Sequence, residues 1–338
     1  MSSKKLFLAY LFSLVLSVGF TWVSQRAGGL RQPILALASV KWVPLFILCW
    51  TTLQCRKPKN YMIAAVGIEL VIGFSGYSSS FKNVLFLLLI VTAGTASDRR
   101  EMPKAQLFFV GSLTLLFACY WQCIKVDYRE FLNQGTGRQV VLVSFKDRVT
   151  FLASSVTSVT PQKMVDGVEH GIDRLGYITY FAYTLRNVPT NVRHQNGGLW
   201  LGAIKHVFMP RVLFPDKEEL NESARTNKYT GLRVAGQRQG TSISIGYVGE
   251  SYIDFGIWFM FFPILGLGYF YGWVYRYFAS RDPDKLLGFG VATSILLFSA
   301  ILVETSNIKL VGGVTTSVIA FVVMVRFARE KFLTLVRD

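Results

Sequence analysis

An all-α integral membrane protein is the fold class this sequence predicts, and three observations predict it. Of 338 residues, 51% are hydrophobic and only 17% are charged. Mean hydropathy is positive, +0.38, a balance that a soluble globular chain rarely has. The apolar residues are gathered into runs about as long as a bilayer is thick. The formal net charge is +16. In a soluble chain that would point to nucleic acid. Here most of it flanks apolar runs, so the bilayer accounts for it and no nucleic-acid partner is expected.

Eight runs are expected to cross the bilayer: 5–23, 34–54, 61–77, 82–97, 105–124, 254–278, 286–303 and 308–327. The third and fourth are the shortest. Lys4 and Lys5 precede the first run, as in a signal peptide. That run is long, and no small-residue cleavage site follows cleanly, so it reads as a retained helix. Basic residues orient the chain. Fifteen lie in one set of short connections, among them Arg56, Arg99, Lys285 and Arg337. Five lie in the other set: Arg26, Arg31, Lys41, Lys82 and Lys309. The long region 125–254 is left out, because the positive-inside rule applies to short loops. Both termini are then cytoplasmic and 125–254 faces outward. The chain reads as one polytopic domain, 1–338, with 125–254 as a large extracytoplasmic loop and 255–338 as C-terminal helices. No internal repeat is legible.

A loop of that length needs structure of its own. Segments 164–187 and 199–214 carry apolar residues at helical spacing and predict amphipathic helices that cap the bundle. Pro189, Pro210 and Pro215 punctuate them. The polar segment 218–244 predicts a mobile loop able to order over a ligand. The cysteines show no disulfide framework. Cys119 and Cys123 stand one helical turn apart, where a bridge would be strained, and read as packing residues.

Several chemistries lack their signatures. The three histidines, His170, His194 and His206, show no HxxxH spacing, and there is no CxxC, so no metal site is expected. No P-loop and no GxSxG appears, and no cofactor is expected. What remains is a cationic loop: Arg174, Arg186, Arg193, Lys205, Arg211, Lys217, Arg225, Lys228, Arg233 and Arg238. Guanidinium groups chelate phosphate oxygens bidentately. The anions at the outer membrane face are lipid phosphates and diphosphates. A polyprenyl diphosphate carrying a sugar suits this arrangement, with its tail between helices and its sugars in the loop. Arginines that snorkel to ordinary lipid phosphates are the competing reading. Arg211 is singled out because Pro210 and Pro215 frame it in "FMPRVLFPDK". Lys217 follows six residues later and suits the same anion.

Glu250 precedes the sixth run, at the membrane mouth, with Gly246, Gly249 and Gly256 around it. Partial burial would make it a better base for an attacking hydroxyl. A structural pairing with an arginine of the same loop is the competing reading. Tyr247 and Tyr252 fit sugar stacking or an interfacial aromatic belt equally. Glu69, inside the third run, is a functional hypothesis by its depth. Pairing with Lys82 or Arg26 is equally expected.

These residues resemble a family. "RLGYITYFAYTLRNVP" at 174–189, "GAIKHVFMPRVLFPDK" at 202–217, "SIGYVGESYIDFGIWFMFFPILGLG" at 244–268 and "FSGYSSSFKNVLFLLL" at 74–89 are similar to the O-antigen and exopolysaccharide polymerases of the Wzy type. The resemblance covers about 70–330. It implies a multi-pass protein of the bacterial inner membrane, without cofactor. It implies transfer of a growing glycan from one undecaprenyl-diphosphate carrier to the sugar end of a second carrier-linked unit. Chain-length regulators and export proteins are the partners it implies. It also implies that Arg211 and Lys217 hold a diphosphate and that Arg174 and Arg186 seat donor or acceptor. Glu250 would orient or deprotonate the acceptor. Eight crossings are fewer than the family's usual number.

Two other functions fit the same composition. An O-antigen ligase would use an outward histidine as base, with His206 the best placed. A flippase would move the lipid-linked oligosaccharide without chemistry and would bury charges within its crossings. A structural partner in an export complex is a third reading, and it would need no concentrated arginine set.

Overall fold

The computed structural model describes residues 1–77, 80–99, 104–211, 213–214, 216–217, 220–236, 241–282, 284–297, 299 and 303–337; the side chains of 98–99, 170 and 172–176 lie outside that description. Among the described residues every regular element is helical. In order they are α1 (Ser3–Ser24), α2 (Arg31–Ala38), α3 (Trp42–Gln54), α4 (Asn60–Ser75), α5 (Phe81–Arg99) and α6 (Lys104–Asn133). Then come α7 (Phe145–Ser158), α8 (Pro161–Gly176), α9 (Ile178–Asn187), α10 (Gly198–Val207) and α11 (Glu222–Thr230). The chain closes with α12 (Tyr247–Phe259), α13 (Phe261–Arg281), α14 (Lys285–Leu296) and α15 (Asn307–Val336).

Four segments are long and apolar enough to cross a membrane: Ser3–Ser24, Gly28–Gln54, Lys104–Asn133 and Asn307–Val336. The α12–α13 pair qualifies as a fifth if its two bent halves count as one. Asn60–Ser75, Phe81–Ser97 and Lys285–Leu296 are apolar but shorter. Each of the eight expected runs thus meets a helix, with residues 298 and 300–302 of the seventh outside the described residues, while length and composition qualify only four or five as crossings.

The bundle is centred on α3. Its residues from Trp42 to Cys49 are all buried, the burial pattern of a helix surrounded by others. Tyr10 of α1, Leu85 of α5, Tyr128 of α6, Val291 of α14 and Phe321 of α15 belong to the same core. α1 is built inside out. It buries Ser13 and Ser17 while Phe12, Val15 and Val18 stand exposed, as a lipid-facing helix should. The Ser13 hydroxyl donates to the Tyr10 carbonyl at 2.8 Å, so its burial leaves that hydroxyl satisfied. A Cβ on Gly167 would lie 2.6 Å from Cys123 Sγ, so glycine lets α8 close onto α6 where Cys123 serves as a packing residue.

Outside the bundle the loop region differs from expectation in three ways. α7 forms where no helix is expected, with Ser144 accepting from the Asp147 N–H at its start. The segment 164–187 is two helices, because Tyr177 takes a left-handed backbone, φ 47°. The segment 218–244 is no uniform loop. It contains α11, which buries Glu222, Ser223, Thr226, Tyr229 and Thr230. A second small core of Val188, Tyr229, Ile245, Tyr252, Ile253 and Met260 holds this region together. Trp200, Leu267 and Leu310 then join it to α13 and α15.

A backbone break and a buried ion pair set the relative positions of these layers. Gly256, at φ 69° and ψ −177°, breaks α12, and the chain turns by 120° into α13. Inside the bundle Glu69, only 3% exposed, accepts from Lys41 Nζ at 2.7 Å and from the Tyr10 hydroxyl at 3.0 Å. Neither Lys82 nor Arg26 is the pairing seen. Lys41 and Tyr10 satisfy the carboxylate because α1 and the start of α3 both pack against α4.

Removing one partner should leave the other charge buried. Lys41→Met is expected to cost about 3–5 kcal/mol. Lys41→Met with Glu69→Gln should recover most of that loss. Thermal unfolding in detergent, read by tryptophan fluorescence, checks it; equal midpoints for the single and double variants would show that the two groups are not coupled.

Candidate functional site

The site is assembled around α10, which is clamped at both ends. At its N-terminus the Asp254 carboxylate accepts from the Leu199 N–H at 3.0 Å and from the Trp200 N–H at 2.8 Å. The Trp200 indole N–H donates to Ser251 Oγ at 3.0 Å, so the first turn is tied twice to α12. At the C-terminus Lys217 Nζ donates to the His206 carbonyl and, at 2.7 Å, to the Met209 carbonyl. An anion at the N-terminus and a cation at the C-terminus both complement the helix dipole.

This arrangement explains much of "FMPRVLFPDK". The chain leaves α10 and turns at Pro210, whose carbonyl accepts from the N–H groups of Leu213 and Phe214 at 3.0 Å each. The turn carries Lys217 back beneath the helix end. Val207 meanwhile rests on α15, where a Cβ on Gly312 would lie 3.3 Å from its side chain. Phe208 and Leu213 remain largely exposed, 76% and 73%, around the half-buried Arg211. The lysine is therefore a helix cap first, a role that its position in the sequence does not announce. The arginine lies between these two exposed apolar residues in sequence.

Four cationic or titratable groups converge here. Burial, and then the charges of Lys217, Arg211 and Arg225, push the His206 imidazole down to about 4. Burial, then Arg211, lowers Lys217 as well. Arg211, Lys217, His206 and Arg225 thus share one electrostatic neighbourhood although they span three segments of the chain.

Arg225 links this neighbourhood to a buried acid pair. Its guanidinium donates to Glu250 Oε1 at 3.0 Å, and Glu250 Oε2 accepts from the Asn307 N–H at 2.8 Å. Glu222 lies alongside. It accepts from Lys309 Nζ, from the Ser306 hydroxyl and, at 2.9 Å, from the Ser242 hydroxyl. Both carboxylates are at most 4% exposed. They bind the head of α15, whose first turn has free N–H groups and a positive dipole end. Two glutamates and two cations therefore join α11, α12 and α15.

The expected residues divide into those the fold gathers and those it disperses. Arg211, Lys217 and His206 come together, and Glu250 reaches them through Arg225. Glu250 shows the pairing with an arginine of its own loop, and its buried position at the head of α15 is that of a structural carboxylate. Tyr252 is no platform for a sugar. It is 6% exposed, its hydroxyl donates to the Val188 carbonyl at 2.7 Å, and its ring packs against Phe181 and His194. The fold takes it into a core because the backbone carbonyl before Pro189 needs a donor and Tyr252 supplies it. Arg186 is exposed in the last turn of α9, a helix that packs against α11. The side chain of Arg174, and Arg238 altogether, lie outside the described residues.

Glu222, Lys309, Ser306 and Asn307 form a part of the site that the sequence does not single out, and Arg225 is there one cation among ten. A signal exists nonetheless. Asn221 caps α11 by accepting from the Ala224 N–H at 3.0 Å, and Gly231 ends it at φ 73°. Asn before Glu and Gly after Thr is a legible helix start and stop. The polar composition between them conceals it. Comparison with family models, with curated proteins and with solved structures returns no match to this chain.

Two outcomes are expected. Arg225→Ala should destabilise by about 3 kcal/mol or more, because it leaves Glu250 buried without its cation. Arg186→Ala should stay within about 0.5 kcal/mol. Chemical unfolding in detergent compares them. For His206 the folded state favours the neutral ring relative to an unfolded value near about 6.5. The unfolded chain then binds the extra proton, so this stabilisation is complete above about pH 6.5. It is lost as pH falls towards about 4. His206→Gln should flatten that part of the pH–stability curve, and an unchanged slope would contradict the assigned environment.

Proposed function

We propose that this chain is a membrane glycosyltransferase that joins lipid-linked oligosaccharide repeat units, as in O-antigen, capsule or exopolysaccharide synthesis. The observation that carries the reading is the convergence of Arg211, Lys217, His206 and Arg225 beside exposed Phe208 and Leu213. Cations beside exposed apolar residues suit an anion attached to a hydrocarbon tail, and a polyprenyl diphosphate is such a ligand. The resemblance in segments 174–189, 202–217 and 244–268 points the same way. The topology belongs to the proposal: eight crossings, α12 and α13 forming one of them, α4, α5 and α14 forming three short ones, both termini cytoplasmic and 125–254 outside.

In the reaction an acceptor sugar hydroxyl forms a bond to the donor's anomeric carbon. The bond from that carbon to the carrier's diphosphate oxygen breaks, and the diphosphate leaves with the electron pair. The acceptor's proton passes to solvent or to the departing phosphate. A diphosphate is a good leaving group already, so neutralising its charge is the main task. Arg211 does this directly, as a bidentate fork. Glu250 acts through Arg225 and is a positioning residue rather than the proton acceptor. Burial lowers the His206 imidazole to about 4, so it is protonated only below that pH and is a weak base, which counts against ligase-type chemistry.

One observation favours a transporter instead. The Lys41–Glu69–Tyr10 network places buried charge within the bundle, as a flippase would.

Reconstituted protein, given lipid-diphosphate-linked repeat units and no nucleotide, should produce a ladder of lengthening glycans. Arg211→Ala should lower that rate by about 10²–10³-fold, with Arg211→Lys restoring little. Substrate moved to the opposite leaflet without a ladder would favour transport, and normal polymer in Arg211→Ala would remove the diphosphate role.

A further inference from the structure

The bundle also holds a cleft whose described lining is uncharged. This cleft of about 330 Å³ opens between α2, the turn after it, the end of α14 and the third turn of α15. That volume is within the range of small-molecule sites. Its polar wall is formed by Gln32, Ser39, Ser294, Ser299, Thr316 and Ser317, with Trp42 as a rigid aromatic side. Gly313 is part of the same wall and comes directly after Gly312, on which Val207 of α10 rests.

We propose that this cleft binds a neutral, polyhydroxylated group, namely a sugar ring. Three properties support that class. Among the described lining residues none is Asp, Glu, Lys, Arg or His, and Lys41, behind the Trp42 ring, is already paired with Glu69 at 2.7 Å. A hydrocarbon chain would leave the side chains of Gln32, Ser299, Thr316 and Ser317 facing apolar atoms, an expensive match. A sugar hydroxyl both donates and accepts, and so do these side chains. Ser294 and Ser39 already donate to the Gly290 and Ala36 carbonyls, at 2.7 Å each, which leaves their oxygens as acceptors. Among the described residues, Gln32, Ser299, Thr316 and Ser317 make no side-chain hydrogen bond to one another or to the rest of the chain. The indole of Trp42 is held in place, with Lys41 Nζ 4.8 Å from its ring centroid. At 4% exposure it forms the closed inner side of the cleft rather than a stacking face.

This inference does not depend on glycan transfer. A sugar at the end of a soluble glycan and the sugar headgroup of a membrane glycolipid share the chemistry, and the test separates them. The full chain in phosphatidylcholine nanodiscs is titrated by saturation-transfer NMR with the methyl glycosides of glucose, galactose, mannose and N-acetylglucosamine. A parallel titration uses dodecyl maltoside. Saturable binding of a methyl glycoside identifies a soluble glycan as the source. Binding of dodecyl maltoside alone identifies a glycolipid headgroup. In either case Thr316→Val should weaken binding several-fold, because valine keeps threonine's shape without its hydroxyl. Adding Gln32→Leu and Ser317→Ala should weaken it at least tenfold, with the unfolding midpoint of each variant measured alongside. Saturable binding of none of the probes, or equal affinity in a folded Thr316→Val protein and in the folded triple variant, would overturn the proposal and leave the cleft as a water-filled vestibule.

Discussion

The structure depends on how two buried carboxylates hold the first turn of α15. Glu250 and Glu222 reach that turn from α12 and α11, and the two residues are 28 positions apart in helices that are apolar and polar respectively. Buried alone, each charge would be costly. Together with Arg225, Lys309, the Ser306 hydroxyl and the Asn307 N–H they form a closed set in which each carboxylate is multiply satisfied. Because α15 places Val314, Phe321 and Leu333 in the main core, anchoring its head fixes the loop region to the bundle. α10 rests on α15 at Gly312, and the cations at the end of α10 inherit that position.

The bundle is legible in the sequence because its signal is additive. Long apolar runs such as 5–23 and 308–327 announce themselves by composition, and α1 and α15 cover them. The run at 61–77 is apolar too, yet α4 ends at Ser75, since hydropathy averages over turns that backbone geometry cuts short. In the loop region the reverse holds. α8 and α10 can be read from apolar spacing, whereas α7 and α11 cannot. Their helicity comes from caps, at Ser144 and Asn221, and from tertiary partners rather than from an apolar stripe.

Within the site, the residue types are legible and their partners are not. Arg211 and Lys217 stand out by their place among prolines, but a sequence cannot show that Lys217 folds back to cap α10. Glu250 stands out by its glycines, while its cation, Arg225, lies 25 residues away in a segment whose composition suggests a mobile loop. Tyr252 misleads for a similar reason. An aromatic beside an expected membrane mouth suits a belt or a stacking platform, and only the packing of α9 against α12 shows it to be core. In each case long-range contact decides what local pattern leaves open.

The brevity of α4 has a consequence for the surrounding lipid. A helix of 16 residues is about 24 Å long, against a hydrocarbon core of about 30 Å. α4 packs on the central α3. On the proposed topology, α4 is a crossing too short for an average bilayer. The lipid beside it must thin, or headgroups must dip towards the midplane. On the proposed function, a carrier with a very long tail would meet less membrane there than elsewhere, and membrane elasticity would bias where it enters before any side chain touches it.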